Sequence, residues 1–344
     1  MNRHTLNPIL TVVDLTTRLQ FGNDIWTVVD HINFNLYPGK TLALVGESGC
    51  GKSITALSLM RILPKPPALL PTGKVIYKDR NLLELNEKEM RKIRGAKIAM
   101  IFQDPISSLN PVFTIGNQMI EVAELHLNLY GKEALDHAAK ALDEVGITSP
   151  IERLKDYPYQ LSGGMKQRVM IAMALMCEPD ILIADEPTTA LDTTIQAQVL
   201  KLMRGLQEKM GMAILLITHD MGVVAEMADE VIVMYTAQGI EHGSVHDIFE
   251  HPAHPYTVGL FNSRPALQTR KKKLAAIPGT VPSFKHIPTG CRFHPRCPFV
   301  MEKCRKGLVP DFVIDQCPAH IAKCWLHDGT EESKQRLRQP DFIL

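Results

Sequence analysis

A chain of 344 residues with 45% apolar side chains can bury one large or two ordinary cores, so disorder is not its default state. Its 38 basic and 37 acidic side chains nearly cancel, which removes the electrostatic footprint expected of a nucleic-acid or anionic-membrane binder. The N-terminal MNRHTLNPILTVVDLTTRLQ lacks the apolar core and cleavage site of a secretory signal, and no apolar run approaches the roughly 20 residues of a spanning helix; a cytosolic chain with reduced thiols is expected.

From about residue 9 to 103, strand-like runs (ILTVVDL, TVVDHINFNL, TLALV, KVIY, KIAMIF) surround one strong helix. That helix follows TLALV through GESGCGKS, which fits G-x-x-x-x-G-K-[ST] over Gly46, Glu47, Ser48, Gly49, Cys50, Gly51, Lys52 and Ser53. Glycines let backbone N–H groups curl around phosphate oxygens, and the helix directs its positive end at them. Lys52 can reach the terminal phosphates and the Ser53 hydroxyl can ligate Mg²⁺, so a nucleoside triphosphate is the expected ligand. Upstream, Phe21 and Trp26 in RLQFGNDIWTVV are two aromatics, either of which could stack on the base.

KIAMIF ends at Gln103, which can ligate Mg²⁺ or position water. Residues 104–165 then lack strand patterns and carry amphipathic runs such as GNQMIEVAELHLNLYG and EALDHAAKALDEVG, which predicts an inserted helical subdomain. At its end LSGGMKQ, through Ser162, Gly163 and Gly164, opens the helix QRVMIAMALM and makes a second anion-binding helix N-terminus in a chain with one phosphate loop.

Alternation of strands and helices returns up to about residue 245. ILIADEPTTALD is an apolar strand ending in two acids, Asp185 placed for the Mg²⁺ shell and Glu186 for the water that attacks the γ-phosphate. Ala190, Leu191 and Asp192 follow. After the strand AILLIT comes His219, which can hydrogen-bond the γ-phosphate and steady the base.

In this order the motifs resemble the phosphate loop, Q-loop, signature, Walker B, D-loop and H-loop of an ABC ATPase, a resemblance covering roughly 9–245. It implies an α/β fold: a RecA-like P-loop core with an antiparallel β-subdomain and an inserted helical subdomain. It also implies a head-to-tail dimer in which Ser162, Gly163 and Gly164 contact the γ-phosphate of ATP held by the opposite subunit. A soluble ABC ATPase acting on DNA or ribosomes is the alternative from another class. Such proteins usually carry two cassettes or a long coiled-coil insertion, and this chain has one cassette and no heptad run.

Past the cassette, VHDIFEHPAHPYTVGLFNSRP reads as two short helices broken by His-Pro pairs, and a basic linker with Arg270 to Lys273 as a solvated run follows. Cys50 and Cys177 read as packing residues. The other five cysteines crowd into one segment with little apolar periodicity, where a bound metal would supply stabilisation. Cys291, Cys297, Cys304 and Cys324 are spaced C-x5-C-x6-C-x19-C without C-x2-C knuckles, which suits a [4Fe–4S] cluster at least as well as zinc, and Cys317 could replace Cys324.

Five stretches narrow the resemblance to the ATPase subunits of oligopeptide and dipeptide importers: GESGCGKS, IFQDPISSLNPVFTIGNQM, YPYQLSGGMKQRVMIAMAL, HPYTVGL and GCRFHPRCPF. The likeness extends to about residue 326 and implies a small Cys-rich C-terminal domain. Its four cysteines at matching positions, Cys291, Cys297, Cys304 and Cys324, would bind a [4Fe–4S] cluster, with Cys317 left over.

It further implies a subunit on the cytoplasmic face that pairs with a second homologous ATPase, docks on two membrane permeases and drives uptake of peptides delivered by an extracytoplasmic binding protein. Importers of nickel, metal chelates, opines or antimicrobial peptides use similar ATPases and remain alternatives. The expected division is 1–103 (β-subdomain, phosphate loop, Q-loop), 104–165 (helical subdomain with signature), 166–262 (remaining core), 263–326 (linker and Cys-rich domain) and 327–344 (polar tail).

Overall fold

The computed structural model describes residues 7–104, 108–189, 191–262 and 277–338. The strands are β1 (Leu10–Phe21), β2 (Asp24–Leu36), β3 (Thr41–Val45), β4 (Thr72–Tyr77), β5 (Arg80–Asn81) and β6 (Ile98–Ile101). They continue as β7 (Ile181–Asp185), β8 (Ala213–Ile217), β9 (Glu230–Tyr235), β10 (Gln238–Ser244), β11 (Phe312–Ile314) and β12 (Cys317–Ala322). The helices are α1 (Lys52–Leu59), α2 (Glu87–Arg91), α3 (Ile115–Leu127), α4 (Gly131–Glu144), α5 (Pro150–Arg153) and α6 (Gly163–Leu175). The last five are α7 (Thr193–Met210), α8 (Met221–Met227), α9 (Val245–Glu250), α10 (Pro255–Asn262) and α11 (Glu331–Leu337).

By contacts the chain divides into two compact units. The first comprises the residues up to Thr11, then Phe34–Thr41 and Val75–Thr218. Its parallel strands run in the order β8-β7-β6, in register Ile98↔Ile181 and Ile181↔Ala213. Every residue of β7 and β8 is buried, which explains why both read as unbroken apolar runs rather than as alternating strands. The stretch from 108 to 165 contains α3, α4 and α5 and no strand among its described residues. Polar caps start α3 and α6: Thr114 accepts from the Asn117 N–H, and Ser162 from the Met165 N–H.

The second unit comprises Val12–Asn33, Leu42–Lys74 and the chain from His219 on. β1 and β2 are neighbours joined at Gly22 (φ +61°). Its larger sheet runs β11-β12-β10-β9-β3, with β3 parallel to β9 and the other pairs antiparallel. One core binds Val45, Val233, Tyr235, Tyr256, Phe261 and Phe293 together, with Cys291 and Cys297 packed against it.

The C-terminal segment is more ordered by burial than its sequence suggests. It contributes β11 and β12, which no strand pattern had signalled, and an apolar cluster of Phe299, Met301, Cys304, Cys324 and Leu326. Contrary to the expectation from its weak periodicity, this segment does bury a small core, assembled from residues far apart in sequence. The residues expected to form a polar tail include α11, capped by Thr330 and anchored by the fully buried Ser333. Arg270 to Lys273 lie outside the described residues.

Glu241 organises this end of the unit. Its buried carboxylate accepts from the Ala253 N–H (2.7 Å), the His254 N–H (2.9 Å), the Thr257 hydroxyl (2.5 Å) and His320 Nε2 (2.9 Å). A buried carboxylate is tolerated only with such complete pairing, and here the pairing fixes α10 and β12 to β10.

Candidate functional site

In the second unit β3 runs into the loop Gly46–Gly51 and then α1. A Cβ at Gly46 (φ +150°) would stand 2.3 Å from the Met234 carbonyl oxygen, and one at Gly51 (φ +110°) 2.6 Å from that of Val28. Both positions therefore require glycine. Lys52 is buried; its ammonium donates to the carbonyls of Gly46 (2.8 Å) and Glu47 (3.1 Å) and lies 3.8 Å from the Cys50 sulfur. Burial raises the Cys50 thiol above its usual range despite Lys52 nearby, so it stays neutral and packs, as the sequence reading expected.

The loop has a partner that sequence reasoning missed. The Glu47 N–H donates to the hydroxyl of Tyr256 at 2.8 Å, and burial holds that hydroxyl far above the ordinary tyrosine range, hence protonated. Tyr256 belongs to HPYT, where His254 Nδ1 accepts from the Tyr256 N–H at 3.0 Å. No local signal links HPYT to a loop some two hundred residues earlier.

Also in this unit, His219 follows β8 at an exposed position, and Asp220 caps α8 through the Gly222 N–H. Phe21 and Trp26 meet each other across the β1–β2 turn, with ring centroids 4.5 Å apart; Phe21 is the exposed member at 43%.

In the first unit Asp185 ends β7 at 4% exposure. Glu186 follows in the left-handed region (φ +47°), a conformation costly for a side-chain-bearing residue, with its N–H bonded to the Ile217 carbonyl at 2.8 Å. Its Oε2 accepts from the Gln103 amide and the Thr189 hydroxyl, each at 2.9 Å. Gln103, separated from Glu186 by 83 positions, thus meets the expected base directly; Thr189 was not anticipated. Asp192 caps α7, accepting from the N–H groups of Thr194 and Ile195 at 3.0 Å, and Leu191 precedes it. Ala190 lies outside the described residues. Ser162 and Gly163 are exposed at the head of α6, and a Cβ at Gly164 would meet Ile195 at 3.0 Å.

The five C-terminal cysteines fall in two places. Cys291, Cys297, Cys304 and Cys324 share one apolar surround with Phe299, Met301 and Leu326, whereas Cys317 sits at the start of β12. Burial pushes the Cys291 thiol up to about 11 and Cys297 to about 12, and Cys324 well above its usual range, with the neighbouring cysteines adding to each. Backbone N–H groups nonetheless face the sulfurs: Phe293 and His294 at Cys291, Phe299 at Cys297, Leu326 at Cys324, and Met301 at Cys304 (3.4 Å). Amide donors aimed at sulfur favour thiolates, which buried thiols adopt when a cationic centre offsets the burial. Among the described residues no set of three or more His, Cys, Asp or Glu side chains is placed to hold a single metal ion.

The family model described as "ABC transporter" matches residues 29–189, and one described as "Oligopeptide/dipeptide transporter, C-terminal region" matches 240–304. A dipeptide transport ATP-binding protein of Bacillus subtilis (strain 168) is 47% identical over 327 residues, covering 95% of this chain and 97% of that protein. An oligopeptide transport ATP-binding protein of the same organism is 50% identical over 330 residues, covering 95% and 100%. The chain belongs to the ATP-binding subunits of the oligopeptide/dipeptide ABC transporter family.

Solved members of the wider ABC group have the same fold. An ATP-binding cassette captured as a dimer in a post-hydrolysis state with ADP and Pi aligns with TM-score 0.61 at 26% identity, covering 69% of this chain and 98% of that one. The cbiO1 cassette of Clostridium perfringens aligns with TM-score 0.60 at 29% identity, covering 76% and 96%. As an ABC ATP-binding subunit the chain binds and hydrolyses ATP. No helix among its described residues is long and apolar enough to cross a membrane.

Proposed function

We propose that this ABC subunit energises import of short peptides from the cytoplasmic face of the membrane. The observation that carries the reading is the peptide-transporter C-terminal region following a complete set of cassette motifs on one chain. In this reading it docks on two permease subunits and pairs head to tail with a second, homologous ATPase. A binding protein outside the membrane supplies the peptide. The dimeric state of the solved cassette supports the pairing. The division into 1–103, 104–165, 166–262, 263–326 and 327–344 belongs to the same reading.

The chemistry assigns the residues as follows. Backbone N–H groups of Gly46 to Ser53 and the Lys52 ammonium receive the phosphates, and Phe21, backed by Trp26, offers a face to adenine. Ser53, Asp185 and Gln103 would hold Mg²⁺, which supplies charge neutralisation on the β- and γ-phosphates. Water attacks the γ-phosphorus, Glu186 takes its proton, and the bond to the ADP oxygen breaks. Two donors on one carboxylate oxygen, from Gln103 and Thr189, fix the orientation in which Glu186 does so. His219 bonds the γ-phosphate and steadies the base. Ser162, Gly163 and Gly164 present α6 to the ATP of the opposite subunit, beside Asp192.

The four thiols with their amide donors fit a [4Fe–4S] cluster, a centre larger than one ion and held by cysteine thiolates. Cys291, Cys297, Cys304 and Cys324 are its ligands in this reading, and its contribution is to hold the C-terminal segment together.

The test is uptake. Cells deleted for the chain lose accumulation of a labelled tripeptide while nickel accumulation is unchanged, and the wild-type chain restores it. Glu186→Gln binds ATP as tightly as wild type but lowers hydrolysis by about 10²–10⁴-fold and restores no uptake. Unaltered peptide uptake in the deletion strain rejects the substrate assignment, and undiminished hydrolysis by Glu186→Gln rejects the base.

A further inference from the structure

The phosphate loop is gripped from the C-terminal segment. Arg296, in the turn between Cys291 and Cys297, has only 5% of its side chain exposed and forms a bidentate pair with Glu47: Nη1 to Oε2 at 2.7 Å and Nη2 to Oε1 at 3.1 Å. Its guanidinium is held in turn. Nε donates to the Pro278 carbonyl (2.8 Å), Nη2 also to that of Ile277 (3.4 Å) and Nη1 to the Tyr235 hydroxyl (3.4 Å). The plane lies 5.8 Å and 5.9 Å from the ring centroids of Tyr235 and Phe293. With the Tyr256 hydroxyl on the Glu47 N–H, one residue of the phosphate loop is fixed at both its backbone and its carboxylate by side chains from the far end of the chain. Although the cysteine turn is far in sequence from every ATP motif, in space it touches one of them.

A carboxylate is an unfavourable occupant of a loop that receives a polyphosphate, because like charges repel where the anion must dock. A fork of two parallel N–H···O bonds cancels the Glu47 charge and fixes its direction, which a single-point ammonium does less well. Both partners are partly or wholly out of water, Glu47 at 31% side-chain exposure, so screening removes little of the effect.

We propose that Arg296 is a positioning residue for ATP: by neutralising and orienting Glu47 it makes the fold of the Cys-rich segment a determinant of nucleotide affinity. The inference rests on the loop being the ATP site, and a control separates the two. Full-length protein is titrated with a fluorescent ATP analogue, and steady-state hydrolysis and thermal unfolding are measured in parallel.

Arg296→Ala weakens binding about 5–20-fold and raises KM in parallel, with kcat within about twofold. Arg296→Lys, which keeps the charge but not the fork, binds more tightly than Arg296→Ala and more weakly than wild type. Adding Glu47→Gln to Arg296→Ala removes the exposed charge and recovers at least half of the lost binding free energy. If the alanine variant does not fold, Arg296→Gln carries the same comparison. Lys52→Ala abolishes binding in every background. Binding by Arg296→Ala within twofold of wild type, or losses that add in the double variant, overturns the inference. Wild-type binding by Lys52→Ala overturns the reading of the site itself.

Discussion

The phosphate loop and the cysteine-bearing turn lie in the same unit and neither is regular structure, yet they are held by opposite means. The first is fixed through its backbone: a Cβ at Gly46 or Gly51 has no room, and Lys52 bonds two loop carbonyls. The second is fixed through side chains, with Phe293 in one aromatic cluster, four thiols around another apolar group, and Arg296 reaching out. The difference teaches where each can be damaged. The loop fails when a side chain is added at Gly46 or Gly51, and the side-chain-held turn fails when particular side chains lose their chemistry.

Substitution of one methyl group gives the largest test of that contrast. Gly46→Ala places a carbon 2.3 Å from the Met234 oxygen, so the loop must move by about an ångström; ATP affinity measured by titration falls about 10²-fold or more. An alanine variant that binds like wild type shows that the loop is not backbone-held.

Next come the thiols. Cys304→Ser and Cys324→Ser bury a hydroxyl where a thiol lay, costing about 1–3 kcal/mol in urea unfolding. The proposed cluster predicts that wild-type protein prepared anaerobically carries about four iron atoms per chain and absorbs near 400 nm, and that both variants lack these. Cys317→Ser, on β12, retains both. Zinc without iron in the wild type refutes the cluster.

The smallest effect is a slope. Burial, with His327 nearby, pushes His254 down to about 3 from 6.5, and its Nδ1 must stay unprotonated to accept the Tyr256 N–H. The unfolded chain therefore binds a proton below pH 6.5 that the folded chain refuses, and stability falls as pH drops from 6.5 to 5, approaching about 1.4 kcal/mol per unit. His254→Asn, which can accept the same N–H, flattens that dependence in urea unfolding at pH 7, 6 and 5.

The cassette motifs were legible because their chemistry demands fixed residue types within short windows: a glycine loop before Lys52, two acids ending an apolar strand, a serine opening α6. The cysteine spacing signalled a metal site but left Cys317 and Cys324 interchangeable; in the fold Cys324 shares an apolar surround with Cys291, Cys297 and Cys304, and Cys317 starts β12. What the sequence hid is long-range. Tyr256 and Arg296 meet Glu47 across 209 and 249 positions, and Thr189 joins Gln103 on Glu186 only once β6 and β7 pair. Strands β11 and β12 are three and six residues long and owe their conformation to the exposed edge of β10 rather than to local pattern.

The buried carboxylate of Glu241 bears on modularity. A shorter protein ending after α10 would keep every ATP motif, yet it would strip His320 from Glu241 and lay bare the edge of β10. Such an open edge invites pairing with other chains. The extension is therefore not a removable accessory: a chain trimmed to the cassette would leave Glu241 short of a partner and the edge of β10 open.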